Sequence, residues 1–183
     1  NDLLGWSGIT HNMMAWLYPN PWGTGMYMPV GNVQRVVNNM RLMHYAGVRW
    51  FFADHPFILF RSGFSELQRY LMFKLLKNID CDTAAVIRDF TDHHYGAAGE
   101  LMRRYIEELE QCRIEMELPP GRGEVSYGVS YKSRDFSERT FPYLTVDNIH
   151  RWQMYFDRME ELTADQPKPL LHVRAERREL DFA

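Results

Sequence analysis

Apolar and polar positions change their period along the chain. Met13-Met14-Ala15-Trp16-Leu17-Tyr18 is an unbroken apolar run closed by Pro19-Asn20-Pro21, the pattern of a strand buried on both faces that leaves through a loop. From Pro29 to Tyr45 the spacing turns helical through Val33, Val36, Val37, Met40 and His44, and Gly47 supplies the stop. Val48-Arg49-Trp50-Phe51-Phe52-Ala53 is a second β-prone run, closed by Asp54-His55-Pro56. Strand, helix, strand is the βαβ rhythm, with parallel strands joined by a crossover. Two strands alone leave edges and faces uncovered, so either the rest of the sheet lies upstream or these strands pair in another way.

Beyond Ser62 the pattern is helical. Ser65 to Lys77 lines up Phe64, Leu67, Leu71 and Leu75, with Ser62 or Ser65 as the expected N-cap. Asp82 is the expected N-cap of a helix through Val86, Ile87 and Phe90, which Gly96 breaks. Ala97 to Met116 resumes with Leu101, Tyr105, Leu109 and Cys112 at helical spacing, and Pro119-Pro120-Gly121 ends it. A long polar-aromatic connection follows, spanning 119–143, in which Val125, Tyr127, Val129 and Tyr131 alternate. Thr145 or Asp147 opens a further helix with Ile149, Trp152, Phe156, Met159 and Leu162 inward, and a last one runs from Leu170 to Leu180.

Composition narrows the class. Apolar residues make up 45% of the 183, with five Trp, ten Tyr and eleven Phe, enough for a packed core. A net charge of −3 gives no electrostatic reason to expect nucleic acid or an anionic membrane, and no run approaches the ~20 apolar residues of a membrane span. The chain begins at Asn1 rather than Met, so a segment upstream is expected. Cys81 and Cys112 lack metal or CxxC spacing and read as two unpaired, half-buried thiols, with one bridge as the alternative in an oxidising compartment.

Ser65-Glu66-Leu67-Gln68-Arg69-Tyr70-Leu71-Met72-Phe73-Lys74-Leu75-Leu76, followed by Asp80-Cys81-Asp82, Phe90, His94-Tyr95-Gly96-Ala97-Ala98 and Tyr105, resembles the domain-of-unknown-function family 4838. Trp6, Trp16, Tyr18, Pro29, Asn39, Arg41, Gly47-Val48 and the closing Arg174–Phe182 segment extend the likeness along most of the chain. The resemblance implies a glycoside-hydrolase-like bacterial protein, extracellular or periplasmic. Its fold would be α/β and predominantly helical. Residues 1–62 would form the strand–helix–strand end of a (β/α)8-type (TIM-like) barrel, and 63–183 an α-helical extension. In such barrels the site lies at the carboxyl ends of the strands. The family pattern places an acid near Ala53, whereas the nearest carboxylate here is Asp54, one residue later.

Asp54 and His55 are therefore the candidate catalytic groups, Asp54 as the rim carboxylate and His55 as a hydrogen-bonding or proton-transfer partner. Glycoside hydrolysis usually needs two carboxyl groups, so one carboxylate does not make the isolated chain catalytic. Trp16, Tyr18 and Trp22 are candidates for a sugar platform, with Trp16 and Tyr18 on one face of a strand. The competing role for Trp16 and Tyr18 is to fill the barrel interior. Arg61 could hold a sugar carboxylate or pair with Glu66. Asp92-His93-His94-Tyr95 invites a metal reading, but adjacent histidines on a helix point about 100° apart, which favours a helix-end cluster. Arg174, Arg177 and Arg178, interleaved with Glu176 and Glu179, read as a solvated, salt-bridged face. Neither cofactor nor metal is implied.

The leading expectation is a part of a glycoside-hydrolase-like protein acting on or binding oligo- or polysaccharide, completed by an upstream barrel segment of the same protein. The alternatives are a non-catalytic carbohydrate-binding or scaffolding module, and an unrelated helical interaction domain in which the two β-prone runs are buried helix segments.

Overall fold

The computed structural model describes residues 2–17, 19, 28–53, 63–117 and 141–182. In chain order these form α1 (Asp2–Ser7), β1 (Met13–Leu17), α2 (Val33–Tyr45), β2 (Val48–Ala53), α3 (Ser65–Lys77), α4 (Thr83–His94), a 3-10 turn at Gly96–Ala98, α5 (Gly99–Glu117), α6 (Val146–Leu162) and α7 (Pro167–Phe182). The fold is α/β and mostly helical, with one small parallel sheet of two strands among the described residues. The β-prone runs are thus strands and not buried helix segments. Met14 pairs with Trp50, Ala15 with Phe51, Trp16 with Phe52 and Leu17 with Ala53.

Side chains alternate across a strand, and here the alternation divides the sheet sharply. Met13, Ala15, Leu17, Phe51 and Ala53 are half-buried, and Leu17 and Ala53 pack on the core. Met14, Trp16, Trp50 and Phe52 share the other face and are exposed. The both-faces-buried strand expected from the apolar run is therefore buried on one face only among the described residues.

Helix α2 joins the strands and buries Val33, Val36, Val37 and Met40, the stripe its spacing predicts. Gly47, at φ +95°, turns the chain from α2 into β2, a backbone that glycine adopts without steric cost. One hydrophobic core runs from Met28 and Val33 through Leu67, Leu71, Leu75, Met102, Tyr105 and Leu109 to Trp152, Phe156, Met159, Val173 and Leu180. Tyr105 lies edge-on to Trp152 at 5.7 Å and to Phe156 at 5.0 Å, an arrangement aromatic quadrupoles favour.

Local capping explains two helix starts. Asp82 accepts from the Ala85 N–H at 3.1 Å, and Thr145 from the Asn148 N–H at 3.2 Å, each satisfying an orphan donor of a first turn. α3 begins differently. Its N-cap position is Phe64, in the left-handed region at φ 56°, with no side-chain cap of its own, and Ser65 is the first helical residue instead of the cap. α1 lies where no helix was expected, and α7 begins at Pro167 rather than Leu170, since proline is tolerated in a first helical turn.

Candidate functional site

The carboxyl ends of β1 and β2 and the amino ends of α2 and α3 meet at one end of the sheet, because a βα unit turns its chain there. Trp16 and Phe52 are the penultimate residues of their strands and touch edge to face, ring centroids 4.8 Å apart at 72°. Met14 and Trp50 are the next pair down the same face, and the Trp50 indole N–H donates to Asn12 Oδ1 at 3.2 Å. Trp16 is 55% exposed. Tyr18, Trp22, Asp54, His55 and Arg61 lie outside the described residues. Trp50 and Phe52 were missed as partners of Trp16. Their positions in a strand were readable, but the register that sets them beside Trp16 comes from the pairing.

Behind this edge the amino ends of both helices are closed by carboxylates from the far half of the chain. Glu110 on α5 accepts from the Gln34 N–H, 2.9 Å from each of its oxygens. Glu176 on α7 accepts from the Phe64 N–H at 3.1 Å and from the Tyr95 hydroxyl at 3.0 Å. Unpaired first-turn N–H groups and the helix dipole both favour an anion at such a place. Burial is the opposing effect. It raises Glu110 above the usual carboxylate range against the hydrogen bonds from Gln34 and Arg35. It pushes Glu176 up to about 7, with the charge of Glu66 adding to the rise, against the bonds from Phe64, Tyr95 and Gly63. Helix α7 was expected to carry Glu176 and Glu179 on a solvated face. Both turn inward, while Arg174 pairs with Glu160 at 2.8 Å and Arg177 with Asp157 at 2.8 Å across α6.

Between the two helix starts runs a buried polar thread. Gln68 Nε2 donates to Asn32 Oδ1 at 2.6 Å, and Asn32 Nδ2 donates to the Pro19 carbonyl. Arg113 donates to the Gly31 carbonyl, and the Tyr143 hydroxyl to the Pro29 carbonyl at 2.9 Å. Ser65 Oγ and Gln68 Oε1 are buried without a partner among the described residues. The thread ties the loop ends that carry the strand-end residues to α3 and α5, so those ends are held in place. Asn32, Arg113 and the Tyr143 hydroxyl did not stand out in the sequence, where each reads as an ordinary helix or loop residue.

A second locus lies at the end of α4. His94 stacks on His172 with centroids 3.7 Å apart and planes 7° apart, and on Phe90 at 4.6 Å. Its Nε2 is 3.6 Å from Glu66 Oε2. His93 points elsewhere, its Nδ1 2.7 Å from the Asp89 carbonyl, as the helical angle between neighbours requires. Among the described residues no three metal-ligating side chains converge, and stacked imidazoles present their nitrogens side by side instead of toward one point. Cys81 and Cys112 are both free and half-buried.

Among the described residues no helix is long and apolar enough to cross a membrane. The sequence profile described as Domain of unknown function (DUF4838) matches residues 1–107, which span both strands, α2 to α4 and the first half of α5. No curated protein and no solved structure matches the chain.

Proposed function

The chain belongs to the family Domain of unknown function (DUF4838), and from that premise we propose that it is part of a glycoside-hydrolase-like protein that binds or acts on complex carbohydrate. In this reading β1 and β2 are closing strands of a (β/α)8-type barrel, α3 to α7 form its helical extension, and an upstream segment of the same protein pairs with the open strand edges. The parent protein would work outside the cell or in the periplasm.

The observation that carries the reading is the exposed face of Met14, Trp16, Trp50 and Phe52. Parallel sheets are normally covered on both faces, and this face is turned away from the core on which Leu17 and Ala53 pack. In a barrel the face opposite the crossover helix is the interior one. Met14 and Trp50, deeper along the strands, would fill that interior. Trp16 and Phe52, one residue from the strand ends, would stand at the mouth, where barrel sites are built, and the flat face of an indole suits the C–H face of a sugar ring. Two described carboxylates behind this end, Glu110 and Glu176, are engaged as helix caps, which supports a role for them no further than holding the helix starts in place.

The test is a tryptophan-fluorescence titration with neutral and acidic oligosaccharides, paired with a glycan array. A saturable response that disappears in Trp16→Ala supports the proposal. A flat titration and a blank array would remove it, and a response unchanged in Trp16→Ala would move the platform elsewhere.

A further inference from the structure

An open cleft of about 430 Å³ lies between the end of α4 and the start of α7, with Tyr70 of α3 in its wall. It is separate from the strand-end site and rests on different residues. Its α4 side carries Asp89, Phe90, His93 and His94, and its α7 side Lys168, Pro169 and His172. Phe90, His94 and His172 form a column of stacked rings, and Tyr70 leans on Phe90 with centroids 5.4 Å apart. Planar groups are what such walls stack against.

The charges are unevenly engaged. Asp89 Oδ2 accepts from the Tyr70 hydroxyl at 2.7 Å, and Asp89 Oδ1 lies 3.5 Å from His93. Glu66 lies against His94. Lys168 is exposed and has no carboxylate in ion-pair range among the described residues. His172 Nδ1 sits 2.8 Å from the His94 carbonyl; a carbonyl only accepts, so Nδ1 carries a proton and donates. That leaves Nε2 as the ring atom available to a ligand, one turn from Lys168 on the same helix.

We infer that this cleft binds a small planar organic acid, its flat body against Tyr70 and Phe90 and its carboxylate between Lys168 Nζ and His172 Nε2. Because Nδ1–H is already committed, Nε2 can donate to an anion only in the imidazolium form. The titratable or charged groups that share the cleft or its ring column with His172 are Tyr70 and Glu66 from α3, Asp89, His93 and His94 from α4, and Lys168 from α7. Burial and then the neighbouring His172 hold His94 down to about 4, so near neutral pH its ring is uncharged.

The experiment titrates the whole chain with benzoate, following histidine C–H resonances by NMR and heat by calorimetry at pH 6 and pH 8. Benzamide serves as the neutral isostere and inorganic phosphate as the ringless anion. Benzoate should shift the His172 and His94 signals, bind more tightly at pH 6, and weaken about tenfold in Lys168→Met through loss of a charge-assisted contact. His172→Gln should abolish the pH dependence while leaving the circular dichroism unchanged. No shift with benzoate, equal binding of benzamide or phosphate, or an undiminished Lys168→Met would overturn the assignment.

Discussion

Glu176, on the last helix, accepts the backbone N–H of Phe64 at 3.1 Å, 112 residues earlier in the chain. Phe64 takes a left-handed backbone (φ 56°), which costs a bulky residue energy and persists where surroundings hold it. Its ring is buried against Tyr105, centroids 6.0 Å apart. The first turn of α3 is thus set by α7 and by core packing, and Ser65 lies inside the helix instead of capping it.

Burial raises Glu176 to about 7, above its unfolded value of 4.5, so the native state holds the proton more tightly. The stabilisation is complete below about pH 4.5 and is lost as pH rises through 7, by on the order of 3 kcal/mol. Glu176→Gln keeps an acceptor for Phe64 and cannot titrate. Urea unfolding between pH 5 and 8 should show a decline in the parent chain that flattens in the variant; parallel curves would mean Glu176 is ionised throughout.

His94 contributes with the opposite sign. Its folded pKa of about 4 lies below the unfolded 6.5, so stability is present above pH 6.5 and falls as pH drops toward 4. The site is only half-buried, so solvent screening reduces the effect. A Glu176→Gln background removes the opposing Glu176 titration, and adding His94→Gln there should flatten the acid limb. Unfolding curves from pH 7 to 4 provide the check.

Two glycines should differ in cost. A Cβ on Gly31 would sit inside contact distance of the Leu109 and Glu110 backbone, which cannot step aside, so Gly31→Ala should cost about 2–4 kcal/mol. At Gly63 (φ 66°) the nearest atom is Glu179 Oε1 at 2.7 Å, the end of a flexible side chain, so Gly63→Ala should cost about 1–2 kcal/mol, mainly from the left-handed backbone. Thermal denaturation of both variants would reverse the ranking if α5 could slide.

Among the tryptophans, Trp152 is 0% exposed and central to the core. Trp152→Ala should cost about 3–5 kcal/mol, while Trp16→Ala, on the open sheet face, should stay within about 1 kcal/mol. A large loss for Trp16→Ala, measured by denaturant midpoint, would mean that its face is covered in the folded chain.

Much of this architecture was legible locally. Apolar runs with β-branched and aromatic residues marked both strands to within a residue. The 3.6-residue spacing marked α2 to α6, and Asp82 and Thr145 announced their helices because a cap acts over three residues. Both ends of α7 and the short α1 were less plain, for want of an apolar stripe at their edges. Of the candidate site, Trp16 was readable as a strand aromatic; its neighbours were not.

Local chemistry, acting over a turn or a strand, was thus sufficient for the kinds and limits of most elements, and for membership of a family whose run lies in α3 and α4. Packing between distant segments settled everything that depends on facing. It placed Trp16 against Phe52 through strand register, and turned Glu176 and Glu179 inward on a helix whose arginines took the outer face. It also sent the carboxylates of α5 and α7 to cap α2 and α3. A charged residue's direction follows from which backbone donors lie across from it, and those donors are brought there by folding alone.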